Sequence, residues 1–303
     1  MKPRFSTTAL AFLLMSSALA HGREVVKLRI LPPIYFDDQG NPLRQPEGIA
    51  CGGESLLAVA DTGNGRLVTY TVAGDSVTPA KSIRLRELPY PLQVQFTPSG
   101  DLVALDGKLR KLARLSPSGA FSGYVEVTGD NPVRPMIPRS FRIGGDGDFY
   151  LLDVANARVI AFSSAGALKR QISLPGGKGS YADLAVDARG AVFVLESIAK
   201  RVYVAGRDDE AFTPLTGAME NEFNFPTSMA IDDLGRLFLV DEYGGGIVIL
   251  AADGSFQGRQ SRMGWDSGSL RYPAGLCVDA GGTMFVADRG NNRIQVFAVT
   301  VTD

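Results

Sequence analysis

The chain has 303 residues, 45% of them hydrophobic and 21% charged, with 31 basic against 32 acidic residues and a net charge of −1. That balance offers no basic face of the kind nucleic-acid binding requires. One His and two Cys in the whole chain leave little for metal or thiol chemistry, while the length is ample for a sizeable core.

The first twenty residues read as an export signal. Lys2 and Arg4 make a basic start, residues 9–15 are apolar, and Ala18-Leu19-Ala20 forms a small-x-small cleavage site. The apolar run is shorter than the ~20 residues that span a bilayer, and no later segment approaches that length. Residues 1–20 are therefore expected to be a removed signal peptide and residues 21–303 a single exported domain, periplasmic or secreted and monomeric. No Cys precedes Cys51, so nothing supports a lipid anchor at the cleavage site. Removal leaves 283 residues with 29 basic and 32 acidic side chains, a net charge of −3. The sole His, His21, stands at the expected mature N-terminus. The body thus lacks the residue needed for Ser-His-Asp catalysis, His-ligated zinc or haem attachment through C-x-x-C-H.

Residues 24–31 (EVVKLRIL) alternate like a strand, and from Pro46 onward the chain is periodic. Pro46, Pro91, Pro138, Tyr181, Pro226 and Pro273 open copies spaced 45, 47, 43, 45 and 47 residues apart. Fifteen residues into each copy comes an acid: Asp61, Asp106, Asp153, Glu196, Asp241 or Asp288. Five residues further stands Arg66, Lys111, Arg158, Arg201 or Arg293, with Gly246 in the fifth copy. The last copy, FVADRGNNRIQVF, is two alternating apolar runs about a Gly/Asn turn, a β-hairpin signal. A period of ~40–50 residues built from short strands means one four-stranded propeller blade per repeat. The expected fold is all-β, a six-bladed β-propeller of antiparallel four-stranded blades. Outer strands are read at 81–87 and 168–174. The last copy lacks one, and residues 25–31 are expected to supply it, closing the ring and covering an open sheet edge.

The motif P-x-G-Φ-x-x-D-x-x-G-x-Φ-Φ-Φ-x-D-x-x-N-x-R-Φ-x-x-Φ fits residues 273–297 almost throughout, and weaker copies extend back to Pro46. In this the chain resembles the NHL repeat, which implies the same six-bladed propeller. More distantly it is similar to lactonase-like propellers of the SMP-30/gluconolactonase type, which hold a divalent cation on the axis. Glu47 matches the first ligand position of that group, but the other blades carry Leu92, Arg139, Ala182, Thr227 and Ala274 there, with Asp183 one place later. Glu47, Arg139 and Asp183 are expected to form a charged cluster at the channel mouth. The lack of His in the body argues against the zinc-binding amidating lyases, which share the architecture.

Identical positions in six blades lie around a circle, so the six acids do not converge on one metal. They are expected to be structural, each accepting turn N–H groups and pairing with its basic partner at the surface, where a pair is worth roughly 0–1 kcal/mol. Asp241 lacks a partner and reads as a decayed copy. Antiparallel order puts the links at 128–137, 175–180, 216–225 and 259–272 on the face of the Asp turns. On that face Tyr90, Arg134, Arg262, Trp265, Arg271 and Tyr272 are residue types that anchor interfaces, and Trp265 is read either as an anchor or as a plug over the blade edge. The leading expectation is a non-enzymatic exported scaffold binding a protein, peptide or glycan on the linking-loop face, without cofactor, metal or nucleic acid. The alternative is a metal-dependent lactonase using Glu47 and Asp183, and the third is an RNA-binding NHL domain. Cys51 and Cys277 fall on inner strands of the first and last blades with opposite facing, compatible with a disulfide or with two buried thiols.

Overall fold

A computed structural model of the chain describes residues 25–53, 55–128 and 135–302; the expected signal peptide, His21 and Arg134 lie outside them. Six four-stranded antiparallel sheets follow one another around a ring, each with its strands in sequence order from axis to rim except the last. Blade three is representative, with strands Pro138–Ile143, Phe149–Asp153, Arg158–Phe162 and Leu168–Ser173. Its two middle strands are buried along their whole length, because each blade is covered on both faces by its neighbours. That is why FYLLD and RVIAF read as continuous apolar runs, while the rim strand LKRQIS alternates with half its residues in solvent. The apolar clusters sit between blades: Val103, Leu105, Phe141, Phe149 and Ile160 interleave across the interface of blades two and three.

The ring is closed as the repeat count requires. Val25–Ile34 pairs antiparallel with Arg293–Thr302, Leu31 opposite Val296, and forms the rim strand of blade six. It runs three residues beyond the segment read from sequence, and Val26, Leu31 and Ile34 are buried. Elsewhere the rim differs from expectation. In blade one the rim strand is Ser76–Ile83, not 81–87. A two-residue turn at Gly74-Asp75, with Ala73 facing Ser76 and Gly74 at φ +58°, sets the register earlier than the alternation of KSIRLRE suggests. In blade four the rim strand is only Thr213–Pro214.

Cys51 and Cys277 are joined in a disulfide, Cα–Cα 5.7 Å, between the inner strands of blades one and six. The bridge links points 226 residues apart, so it restrains nearly the whole unfolded chain. Denatured, unreduced protein is expected to show no titratable thiol, and a Cys51→Ser/Cys277→Ser double variant should lose about 2–5 kcal/mol of unfolding free energy. Two free thiols per chain, in protein taken from an oxidising compartment, would contradict the bond.

Candidate functional site

In five of the six copies the repeat's acid ties backbone or side-chain donors together. Asp61 accepts the backbone N–H of Arg44 (2.7 Å), the Asn64 amide (2.8 Å) and Arg66 Nε (2.7 Å). Asp153 does the same with Ile137, Asn156 and Arg158, and Asp288 with Arg271, Asn291 and Arg293. The backbone donor comes from the link entering the blade, so each carboxylate ties a link to a turn. These pairs are buried, not exposed: Asp61, Asp153 and Asp288 are fully covered, and Arg66, Arg158 and Arg293 nearly so. Burial pushes the Asp288 carboxyl above the ordinary Asp range against the pull of its hydrogen-bond partners. Arg66 also binds Asp37, which fixes the segment running from the closing strand into blade one.

Two copies depart from the expected pairing. Asp106 takes three backbone N–H groups, from Tyr90, Lys108 and Leu109. Lys111 instead lies 4.5 Å from the Tyr124 ring centroid, because Leu109 replaces the turn Asn and the carboxylate is already satisfied. No ion pair joins Glu196 to Arg201 among the described residues; the Arg201 guanidinium lies over Tyr203 at 6.0 Å. Asp241, by contrast, is not without a partner. Arg259 reaches it from the rim strand at 2.8 Å, through the space a side chain at Gly246 would fill, since a Cβ there would stand 2.6–2.9 Å from the guanidinium.

The same face carries the mouth of the axial channel, a cavity of about 150 Å³. Glu47, Arg139, Thr227, Glu242 and Arg289 line it, with Leu92, Ala182 and Ala274 completing the first ring. Arg289 bonds Glu242 and stands 3.8 Å from Glu47. Burial pushes the Glu47 carboxyl up, opposed by Arg289 and Arg139 and reinforced by Glu242. Beneath lies Asp183, 1% exposed. It accepts from Arg142 (2.8 Å), the Ser228 hydroxyl (2.8 Å), the N–H groups of Met229 and Leu184 (both 2.9 Å) and the Ser140 hydroxyl, joining the inner strands of blades three, four and five. In blades one and six the same register holds Gly48 and Gly275, where a Cβ would meet neighbouring backbone oxygens at 2.5 Å.

Beside the mouth runs an aromatic ridge. Phe225 stacks on Tyr243 with centroids 5.1 Å apart, and Tyr243 meets Tyr272 edge-on at 6.4 Å. Arg271 lies between Tyr272 (5.6 Å) and Trp265 (5.1 Å), its guanidinium over both rings. Tyr272 has φ +46°, a left-handed conformation unusual for an aromatic residue before proline. Trp265 is 70% exposed, so it is no plug over the blade edge.

Residues 270–297 match the NHL repeat family. The chain is a six-bladed β-propeller whose last copy carries an NHL repeat. A segment is 34% identical over 85 residues to NHL repeat-containing protein 3 of Mus musculus, covering 27% of this chain and 24% of that one. The Homo sapiens protein of the same name is 32% identical over 79 residues, covering 25% and 23%. The matches thus span about a quarter of the length of these curated relatives. Among solved structures, virginiamycin B lyase from Staphylococcus aureus superposes with a TM-score of 0.60 at 14% identity, covering 92% of this chain and 88% of that one. A gluconolactonase from Xanthomonas campestris gives 0.65 at 13%, covering 90% and 97%. An auxiliary nutrient binding protein from Bacteroides ovatus gives 0.66 at 10%, covering 93% and 77%. At these identities the likeness is one of fold alone.

Within this propeller the residues singled out from sequence divide into groups. Trp265, Arg271 and Tyr272 come together, and Arg262 is exposed in the same loop. Tyr90 lies in blade two under the Lys108 ammonium, apart from the ridge. Glu47 and Arg139 face each other at the mouth, while Asp183 is sealed below them. A divalent cation of the lactonase-like kind does not fit this donor set: Asp183 is saturated by hydrogen-bond donors, and Glu47 has Arg139 and Arg289 for company. Tyr243, Glu242, Arg289 and Arg142 were not found from sequence. Aligning the copies one column beyond the acid brings out Glu242 and Arg289, and two columns beyond brings out Tyr243.

Proposed function

We propose that this propeller is an exported, non-enzymatic binding scaffold that captures a protein, peptide or glycan on its linking-loop face. The observation that carries this reading is the ridge. Trp265, 70% exposed, and Tyr243, 56% exposed, are held in fixed positions by Arg271, Tyr272 and Phe225. Large aromatic side chains of this exposure, already ordered, bind without a large conformational cost, and Trp, Tyr and Arg dominate the energetics of such contacts. The propeller fold of a nutrient-binding protein is a structural neighbour, which is consistent with a capture role.

The test is a Trp265→Ala/Arg271→Ala double variant. Trp265 is exposed and Arg271 half-buried, so thermal stability should stay within about 1 kcal/mol of the parent. Crosslinked capture of partners from the exporting cells should weaken by about 2 kcal/mol or more. Undiminished capture by a folded double variant would place the binding surface elsewhere.

A further inference from the structure

The mouth of the axial channel is charged unevenly. On the side of blades one, five and six, two carboxylates share a single guanidinium: Arg289 bonds Glu242 and stands 3.8 Å from Glu47. On the side of blade three, Arg139 has no hydrogen bond or ion pair among the described residues and acts on Glu47 only across the opening. The floor is neutral and closed, because Asp183 and Arg142 already satisfy each other. The cavity therefore holds one uncompensated negative pole facing one uncompensated positive pole. Thr227 is among the lining residues, and its Oγ1 is buried without a hydrogen-bond partner. A buried polar atom left unpaired is costly, and native folds rarely tolerate one without a reason.

We infer that the axial cavity is a binding site for a small zwitterion of the α-amino-acid type, its ammonium held by Glu47 and Glu242 and its carboxylate by Arg139. Charge-assisted hydrogen bonds at both ends are the strong kind. The two poles also reject the wrong ligands. A lone carboxylate attracted to Arg139 meets the paired glutamates, and a lone amine attracted to Glu47 meets Arg139. A neutral sugar leaves both poles unpaired. Burial is the main cause that raises the Glu47 carboxyl, with Arg289 and Arg139 offsetting it only in part. At about 150 Å³, with walls of Leu92, Ala182 and Ala274, the cavity suits glycine or alanine rather than a long side chain or a polymer. This site is separate from the aromatic ridge, so each can fail without the other.

Calorimetric titration of the full exported chain with glycine, L-alanine, acetate, ethylammonium and glucose tests it. Glycine or L-alanine should bind once per chain, and acetate and ethylammonium each about tenfold or more weaker. Arg139→Gln should reduce that binding by about tenfold or more, and Glu47→Gln likewise, while Trp265→Ala/Arg271→Ala leaves it unchanged. Arg139 is exposed, so its variant folds and decides the matter even if Glu47→Gln does not. No binding of either amino acid at millimolar concentration, acetate as tight as L-alanine, glucose tighter than both, or indifference to Arg139→Gln would each overturn the proposal.

Discussion

Deletion of Val25–Ile34 is expected to abolish cooperative folding of the ring. The strand covers the whole edge of Arg293–Thr302 and delivers Val26, Leu31 and Ile34 into the clusters on either side of blade six. Each of those side chains contributes about 1.5–3 kcal/mol by burial, and the strand's hydrogen bonds are lost with them. The sum is comparable to the ~5–15 kcal/mol that holds a typical domain together. The uncovered edge would also be free to pair with other chains. Circular dichroism melting and size-exclusion chromatography check this: loss of the single sharp transition, with aggregation, is expected. A truncated protein that melts like its parent would show that the ring closes without the strand.

The second large effect separates two residues at the same repeat position. Arg66→Met should cost about 3–5 kcal/mol, because it strands the buried carboxylates of Asp37 and Asp61 at once. Lys111→Met should cost under about 1 kcal/mol, since it removes only an exposed cation from the face of Tyr124. Urea denaturation of both variants gives the comparison directly. Equal losses would mean that the buried pair has no special weight.

These two positions also show what the sequence could and could not reveal. The Pro and Asp columns were legible because five of the six blades tie the entering link to an acid at a fixed spacing. The partner of that acid was less legible, since any donor reaching the same pocket serves: backbone N–H groups around Asp106, and Arg259 from another strand for Asp241. A template keyed to Arg five residues on therefore loses blade five although its buried carboxylate is paired. The parity of Cys51 and Cys277 showed that they have opposite facing but not whether both point into the shared interface. The axial mouth was half legible. Glu47 and Arg139 stood out as charges in an apolar column, but Arg142, Glu242 and Arg289 enter it from other columns. The ridge lost Tyr243 for the same reason, because it comes from a turn and not from a link.

Val25 faces Thr302 across the last rung of blade six, where the closing strand begins. That rung lies at the end of the blade near the Asp279–Gly282 turn, where Val299 donates to Gly282, and so on the side of the disc away from the Asp turns. A tether joined to the ring at either position would hold it from behind. Ridge and axial mouth would then point outward together from whatever surface the tether was fixed to, and a fusion at either end would leave both unobstructed.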